Sequence, residues 1–264
     1  MHSIPIRNVY YLLLYAWDQF TPKNQAEVGV ESSFDLPNLL GRVLAEGTRR
    51  LLRRGSDRGY IGCVDELTAP RGRFLLAEAI KRSSFVRGGL ICQFDELSPD
   101  VVHNRILKAA LATLARSEVI DVSLAAELNS LRAKLGGVTE VALSKQLFKQ
   151  LQLSRNISHY SLLMKICELV RELLLPKEGG RGSRFADILR DEERMSFIFE
   201  AFVRNFYRRE QNQFSVGSEV IPWDMSPDSV GHAAYLPSML TDVTLRSPTR
   251  TIVIDAKFYH QTQS

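Results

Sequence analysis

Apolar positions recur along this chain with two periods, and the change from one to the other divides it. Through most of the first 185 residues the spacing is helical, three and four apart. Val9–Trp17 is almost wholly apolar and predicts a helix buried on most sides, with Asn8 as its N-cap. Leu36–Arg53 carries Leu40, Val43, Leu44 and Leu51 on one face and ends in Arg49-Arg50-Leu51-Leu52-Arg53-Arg54-Gly55, a basic C-terminus closed by glycine. Asp100–Ser117 places Val102, Ile106, Leu107, Ala110, Leu111 and Leu114 in a stripe, with Ser98-Pro99 as its start signal. Further helices are predicted at Phe74–Lys81, Leu124–Leu135, Leu143–Leu151 and Tyr160–Leu175. Tyr60–Leu67 and Gly89–Phe94 read as strands, and residues 21–35 as a polar loop.

Pro176–Ser183, rich in glycine, is a linker signal. A domain boundary there gives 1–185 and 186–264. The second part opens with a long helix, Asp191–Glu210, whose Met195, Ile198, Phe199, Phe202, Val203 and Phe206 predict a core stripe. The period then shortens to two. Phe214–Val220 reads as a strand and 221–237 as a loop. Thr241–Arg246 and Thr251–Phe258 form two strands of a hairpin around Ser247-Pro248-Thr249. A mixed sheet with the hairpin at its centre is the expected arrangement.

That hairpin carries the candidate chemistry. With Ser247–Arg250 as the loop, Arg246 faces Thr251, and counting back sets Asp242 across from Asp255. Lys257, two residues on, projects from the same side as Asp255. Facing carboxylates repel across a β-pair. A divalent cation with oxygen ligands between them resolves the repulsion, and Lys257 could orient water or offset developing charge. A solvated surface hairpin is the plain alternative. Acid, apolar strand, then acid–x–Lys is the pattern of PD-(D/E)xK nucleases. The backbone carbonyl of Ala256 could add a ligand, and Glu219 or Glu200 could complete the shell. A solvated carboxylate is the other reading of Glu200.

Composition bounds these readings. At 264 residues and 45% hydrophobic, the chain has ample material for a core. No apolar run reaches membrane-spanning length, and the start shows no signal peptide, so a cytoplasmic protein is expected. Cys63, Cys92 and Cys167 are widely spaced and suit reduced thiols; the five histidines show no ligand spacing. Residues 186–264 hold 8 Lys and Arg against 11 Asp and Glu, a net −3, which leaves +7 on residues 1–185. A basic first part favours nucleic acid or an acidic partner surface, and the acidic second part needs metal to approach phosphate.

The chain resembles the McrC family, nuclease subunits of McrBC-type modification-dependent restriction systems. The resemblance rests on Ile4-Pro5-Ile6-Arg7-Asn8-Val9-Tyr10-Tyr11 through Tyr15-Ala16-Trp17, on Pro70-Arg71-Gly72-Arg73, on Phe94-Asp95-Glu96-Leu97, and on Asn104-Arg105-Ile106-Leu107-Lys108. It continues through Leu236-Pro237, Met239, Thr241-Asp242-Val243-Thr244 and Ile254-Asp255-Ala256-Lys257-Phe258-Tyr259. It implies an α+β chain: a helix-rich N-terminal domain with a small sheet, then a partial PD-(D/E)xK (restriction endonuclease-like) α/β domain. It implies that 1–185 docks on a hexameric McrB-like AAA+ GTPase, which reads methylated cytosine in double-stranded DNA, and stimulates its GTP hydrolysis. It further implies that the C-terminal part cuts DNA with Mg²⁺ through Asp242, Asp255 and Lys257. Arg7, Arg71, Arg73 and Arg105 are candidates for partner binding through membership of these motifs, with structural ion pairs as the alternative. The sequence ends seven residues after Lys257, short of the helix and strand with which the nuclease core continues, so weak or absent cutting by this chain alone is expected. Two other readings are a non-catalytic subunit that activates a partner NTPase and a stand-alone nuclease of the same fold. The large N-terminal part speaks against the second.

Overall fold

The computed structural model describes residues 5–21, 35–153, 155–176, 183–185, 188, 191–223 and 236–259. The linker core at 177–182, most of the loops expected at 21–35 and 221–237, and the polar tail 261–264 lie outside them. The chain is α+β and divides into two compact units, 40–184 and a discontinuous one made of 1–39 with 185–264. The helix Ile6–Ala16, which the sequence reading put in the N-terminal part, packs on Glu192–Glu210. Among the described residues, no helix is long and apolar enough to cross a membrane.

In unit 40–184, α2 (Leu36–Arg54) leads to the nine-residue strand β1 (Gly59–Leu67), which pairs antiparallel with β3 (Leu90–Ser98) from Gly59↔Ser98 to Leu67↔Leu90. The short β2 (Arg73–Phe74) adds to the other edge of β3, giving the order β1-β3-β2, and α3 (Leu76–Lys81) follows it. Gly72 sits at φ +70°, and a Cβ there would meet the Gln93 carbonyl oxygen at 2.3 Å, so glycine is required at the turn into β2. The core is built on α4 (Val102–Ala115), with Ile106, Leu107, Ala110, Leu111 and Leu114 fully enclosed. Around it pack α5 (Val122–Lys134), α6 (Lys145–Lys149) and α7 (Ser161–Leu173). A Cβ on Gly47 would lie 2.4 Å from Leu163 Cδ2, so α2 closes on α7 only through glycine. Cys92 and Cys167 are buried, Cys63 is partly exposed, and all three are free thiols.

A buried polar network ties the base of the β1–β3 hairpin to this core. Asn104, with no exposed surface, donates to the Asp57 and Pro99 carbonyls at 2.9 and 2.8 Å and accepts from the Tyr160 hydroxyl at 2.8 Å. The Tyr160 hydroxyl in turn accepts from the Asp57 amide at 3.1 Å. His103 Nε2 lies 2.9 Å from Asp57 Oδ2, and burial still holds its pKa below the usual imidazole value. Arg105 is committed to Asp100 through two bonds of 2.8 and 2.7 Å, and Asp100 also accepts from the Thr139 amide and hydroxyl.

In the other unit, α1 (Ile6–Ala16) begins two residues before the expected cap. Pro5 takes that position, and its carbonyl accepts from the Asn8 amide at 2.8 Å. Val9, Tyr10, Leu13 and Leu14 are buried. α1 packs on α8 (Glu192–Glu210), which Asp191 caps by accepting from the Arg194 amide. Asn205 of α8 donates to the Tyr15 and Ala16 carbonyls at 3.0 and 3.1 Å, tying the end of α1 to α8; the Tyr15 carbonyl also accepts from the Asp18 amide. Tyr15 donates to Glu210 at 2.7 Å and stacks on Phe20 at 4.1 Å. The expected α8 stripe is not a closed core: only Met195 is buried, and Phe206 is 38% exposed. Phe202 and Phe206 instead line an apolar groove of about 390 Å³ with Tyr11, Leu12, Tyr15 and Phe20.

After the short paired strands β4 (Leu174–Pro176) and β5 (Ser183–Phe185), the sheet beneath α8 has the order β10-β9-β6: β6 (Ser215–Gly217), β9 (Val243–Arg246) and β10 (Thr251–Ile254). It is antiparallel throughout rather than mixed. Only β9 is central; β10, expected at the centre, is an edge, because β6 occupies the other side of β9. The single strand expected at Phe214–Val220 breaks at Ser218-Glu219. Its second piece, β7 (Val220–Ile221), pairs with β8 (Met239–Leu240) instead.

Two outcomes follow for stability. Asn104→Ala takes one donor from each of the Asp57 and Pro99 carbonyls and the acceptor from the Tyr160 hydroxyl, and should lower unfolding free energy by roughly 2 kcal/mol in a denaturant titration. Burial and the Glu210 bond push the Tyr15 pKa up to about 12 from 10.0. A raised folded-state pKa means this contribution is complete below pH 10 and is lost as pH rises through about 12. Alkaline unfolding monitored by circular dichroism should show that loss, and Tyr15→Phe should remove it.

Candidate metal centre

The register expected for the hairpin is the one observed. Thr251 faces Arg246, and the pairs run through Ile252↔Leu245 and Val253↔Thr244 to Ile254↔Val243, where the ladder ends. The turn is closed by the Ser247 amide donating to the Arg250 carbonyl at 2.8 Å, and by the Arg250 amide donating to Ser247 Oγ at 3.1 Å. Asp242 and Asp255 are therefore the first residues past the last ladder rung, on opposite strands.

Asp242 is pulled off the ladder by the break between β8 and β9. Thr241 is buried there; its amide donates to the Glu219 carbonyl and its hydroxyl accepts from the Glu219 amide, both at 2.9 Å. A second contact, between the Ser218 hydroxyl and the Thr241 carbonyl, completes the break. Like a bulge, it releases the next side chain from pairing and re-aims it. Asp242 Oδ2 accepts from the Ala256 amide at 2.8 Å. Lys257 Nζ lies 3.0 and 2.8 Å from the two oxygens of Asp255.

Alternation decides which side these groups take. Ile252, Ile254 and Phe258 are half-buried and Ala256 is buried, while Val253, Asp255 and Lys257 are exposed. Phe258 lies 6.2 Å from the Phe199 ring of α8, which anchors the strand past the acids. Glu200, on the next position of α8, has its pKa raised first by burial and then by Asp242, with a smaller push from Asp255. The helix thus brings a third carboxylate into the field of the other two.

The remaining predicted residues separate. Glu219 stays out of this group: Arg246 holds its carboxylate at 3.1 and 2.5 Å and lowers its pKa. The Ala256 backbone reaches Asp242 through its amide, and its side chain is buried. Arg7 bonds the Tyr11 hydroxyl at 3.1 and 2.9 Å, Arg71 covers the Phe94 ring at 3.7 Å, and Arg73 lies exposed on β2. Arg105 is in the ion pair with Asp100. One site residue was missed. Arg204 of α8 donates from Nε and Nη2 to the Asp242 carbonyl at 3.1 and 3.0 Å. Its signal was its spacing, one turn after Glu200.

The donor set suits a small hard cation. Mg²⁺ takes one or two protein carboxylates and keeps several waters, and Asp242 and Asp255 supply two. Among the described residues, no three acid, histidine or cysteine side chains already converge as a ligand cluster. The Lys257 ammonium now supplies the positive charge beside Asp255.

A family profile described as McrBC 5-methylcytosine restriction system component matches residues 6–264. The chain belongs to the McrBC family. It is 32% identical over 256 residues to the type IV methyl-directed restriction enzyme EcoKMcrBC of Escherichia coli K12, covering 97% of this chain and 74% of that protein. Its fold resembles that in a refined half-complex from a tetradecameric assembly of Thermococcus gammatolerans McrB AAA+ hexamers with bound McrC, with a TM-score of 0.64 and 20% identity. There it covers 97% of this chain and 56% of that one. A cryo-EM structure of the Thermococcus gammatolerans McrBC complex gives a TM-score of 0.56 at 19% identity, covering 80% and 60%. The chain therefore spans little more than half the length of the solved McrBC chains it matches.

The raised Glu200 pKa has a measurable sign. A carboxyl whose folded-state pKa is raised opposes folding once it ionises, so its penalty grows as pH rises above the ordinary glutamate range. Glu200→Gln should raise the melting temperature of metal-free protein at pH 7 by about one or two degrees. The gain should vanish near pH 4, as a pair of thermal scans would reveal.

Proposed function

We propose that this McrBC family member is the cytoplasmic nuclease subunit of a 5-methylcytosine-directed restriction system. It would hydrolyse phosphodiester bonds of double-stranded DNA at a PD-(D/E)xK site with Mg²⁺. It would work beside a hexameric McrB-like AAA+ GTPase, whose GTP hydrolysis it stimulates. The observation that carries the reading is the meeting of Asp242, Asp255 and Lys257 at the open end of one β-ribbon, with Glu200 facing them from α8.

When bound, Mg²⁺ would polarise the scissile phosphate and stabilise charge on it. The chain's own groups would do the rest. Asp242 and Asp255 present carboxylate oxygens on neighbouring strands; the Ala256 amide orients the first and Lys257 the second. The Lys257 pKa is raised, first by its bond to Asp255, so the side chain stays an ammonium at neutral pH. That suits a role in holding the attacking water and offsetting phosphorane charge better than one in removing a proton. Glu200, half-buried and raised in pKa, is the candidate for an outer ligand or a proton acceptor from water.

The regulatory reading keeps one observation in its favour. Lys257 already neutralises Asp255, so the described fold is satisfied electrostatically at that acid without a cation. Cleavage separates the two. In the assembled complex with its GTPase and GTP, Asp255→Ala should lower cutting of methylated DNA by at least about a thousandfold, with GTP turnover unchanged. Retained cutting would leave the chain an activator only.

A further inference from the structure

We infer that Arg204 is a positioning residue of the acid site, setting where the Asp242 carboxylate points and tying it to Glu200. The inference rests on the nuclease reading for its role in turnover; its effect on cation affinity stands on the geometry.

Asp242 stands where the β9–β10 ladder has ended, so its carbonyl has no partner from the ladder pairs described for that strand. In its place α8 sends a guanidinium whose Nε and Nη2 both close on that one oxygen, at 3.1 and 3.0 Å. Two charged donors fix the peptide plane, and with it the Cα–Cβ direction of Asp242. The other end of the residue is held by the Ala256 amide on Oδ2 at 2.8 Å. Asp242 is thus clamped from a helix at its backbone and from the neighbouring strand at its carboxylate. Arg204 is also one helical turn from Glu200, and its charge acts on that carboxylate. The same side chain therefore fixes one acid and partly neutralises another.

Charge counting supports the placement. Glu200, Asp242 and Asp255 against Arg204 and Lys257 leave one negative charge. Without Arg204 it would be two, borne by carboxylates at a half-exposed sheet end, and like charges would drive them apart. With a divalent cation the five groups carry one positive charge, the sign a phosphodiester requires. A lysine could supply the charge but not the planar fork that meets one carbonyl with two N–H groups.

Groups that orient metal ligands without touching the metal typically change affinity or activity by about tenfold to a hundredfold. Mn²⁺ titrated calorimetrically into the 264-residue chain is the first readout. Losing the Arg204 charge by itself favours a cation, so the weaker binding expected of Arg204→Met, about tenfold or more, reports lost positioning, and Arg204→Lys, which keeps one donor to the carbonyl, should recover part of the loss. In the assembled complex, Arg204→Met should raise the Mg²⁺ concentration for half-maximal cleavage by a similar factor, with the DNA KM unchanged. If Arg204→Met fails to fold, Arg204→Lys decides alone, with an expected loss of about threefold to tenfold. Mn²⁺ affinity within about twofold of wild type in the folded variant overturns the inference. If the wild-type chain binds no Mn²⁺, or Asp255→Ala still cuts, the nuclease reading itself fails; if the wild type binds and only the Arg204 variants match it, this inference alone falls.

Discussion

Two carboxylates placed level on neighbouring strands repel, and everything around the end of the β9–β10 ribbon answers that repulsion. The ladder stops one residue short of them. Lys257 closes on one carboxylate, the Ala256 amide on the other, and Arg204 grips the peptide that carries the first. None of these bonds is buried deeply enough to be strong individually. Together they fix Asp242 and Asp255, and Glu200 of α8 feels the charge of both. A fold that keeps like charges together at neutral pH has a use for the potential they create, and a divalent cation is the ligand that such a potential concentrates.

That local arrangement depends on a distant one. α8 carries Glu200 and Arg204 toward the acids, and α8 is itself positioned by α1, through Asn205 on the last carbonyls of α1 and through Tyr15 on Glu210. Ile6–Ala16 is therefore part of the unit that holds the site, although more than a hundred residues intervene. Part of the apolar face of α1 is covered by this docking, while Tyr15, Phe20, Phe202 and Phe206 leave an apolar groove beside it.

The parts of this picture readable from sequence were those that follow from local rules. A three-residue turn signal between two β-period runs sets register without reference to the rest of the chain, so the pairing of Arg246 with Thr251 came out as read, although the ladder ends at Ile254↔Val243, one residue before the acids. The amphipathic spacing of α4 and α8 likewise needed no partner to be seen. What escaped was tertiary. Nothing in Val9–Trp17 says which element covers it, so its membership in the C-terminal unit was invisible. Glu219 looked equivalent to Glu200 until Arg246, 27 residues on, took its carboxylate. Arg204 went unread: its spacing one turn after Glu200 puts it on the same helix face, but the bond to a backbone carbonyl on another element is tertiary. The strand at Phe214–Val220 broke at Ser218 because its neighbour also breaks, a constraint that belongs to the pair.

The central claim is that a cation sits between Asp242 and Asp255. Crystals of the protein soaked in Mn²⁺, with data collected at the manganese edge, test it most directly. The account predicts one anomalous peak bridging the two carboxylates at about 2.1 Å, with the Lys257 ammonium moved off Asp255. A map in which the peak is missing, or in which manganese binds elsewhere while Lys257 remains on Asp255, would contradict it.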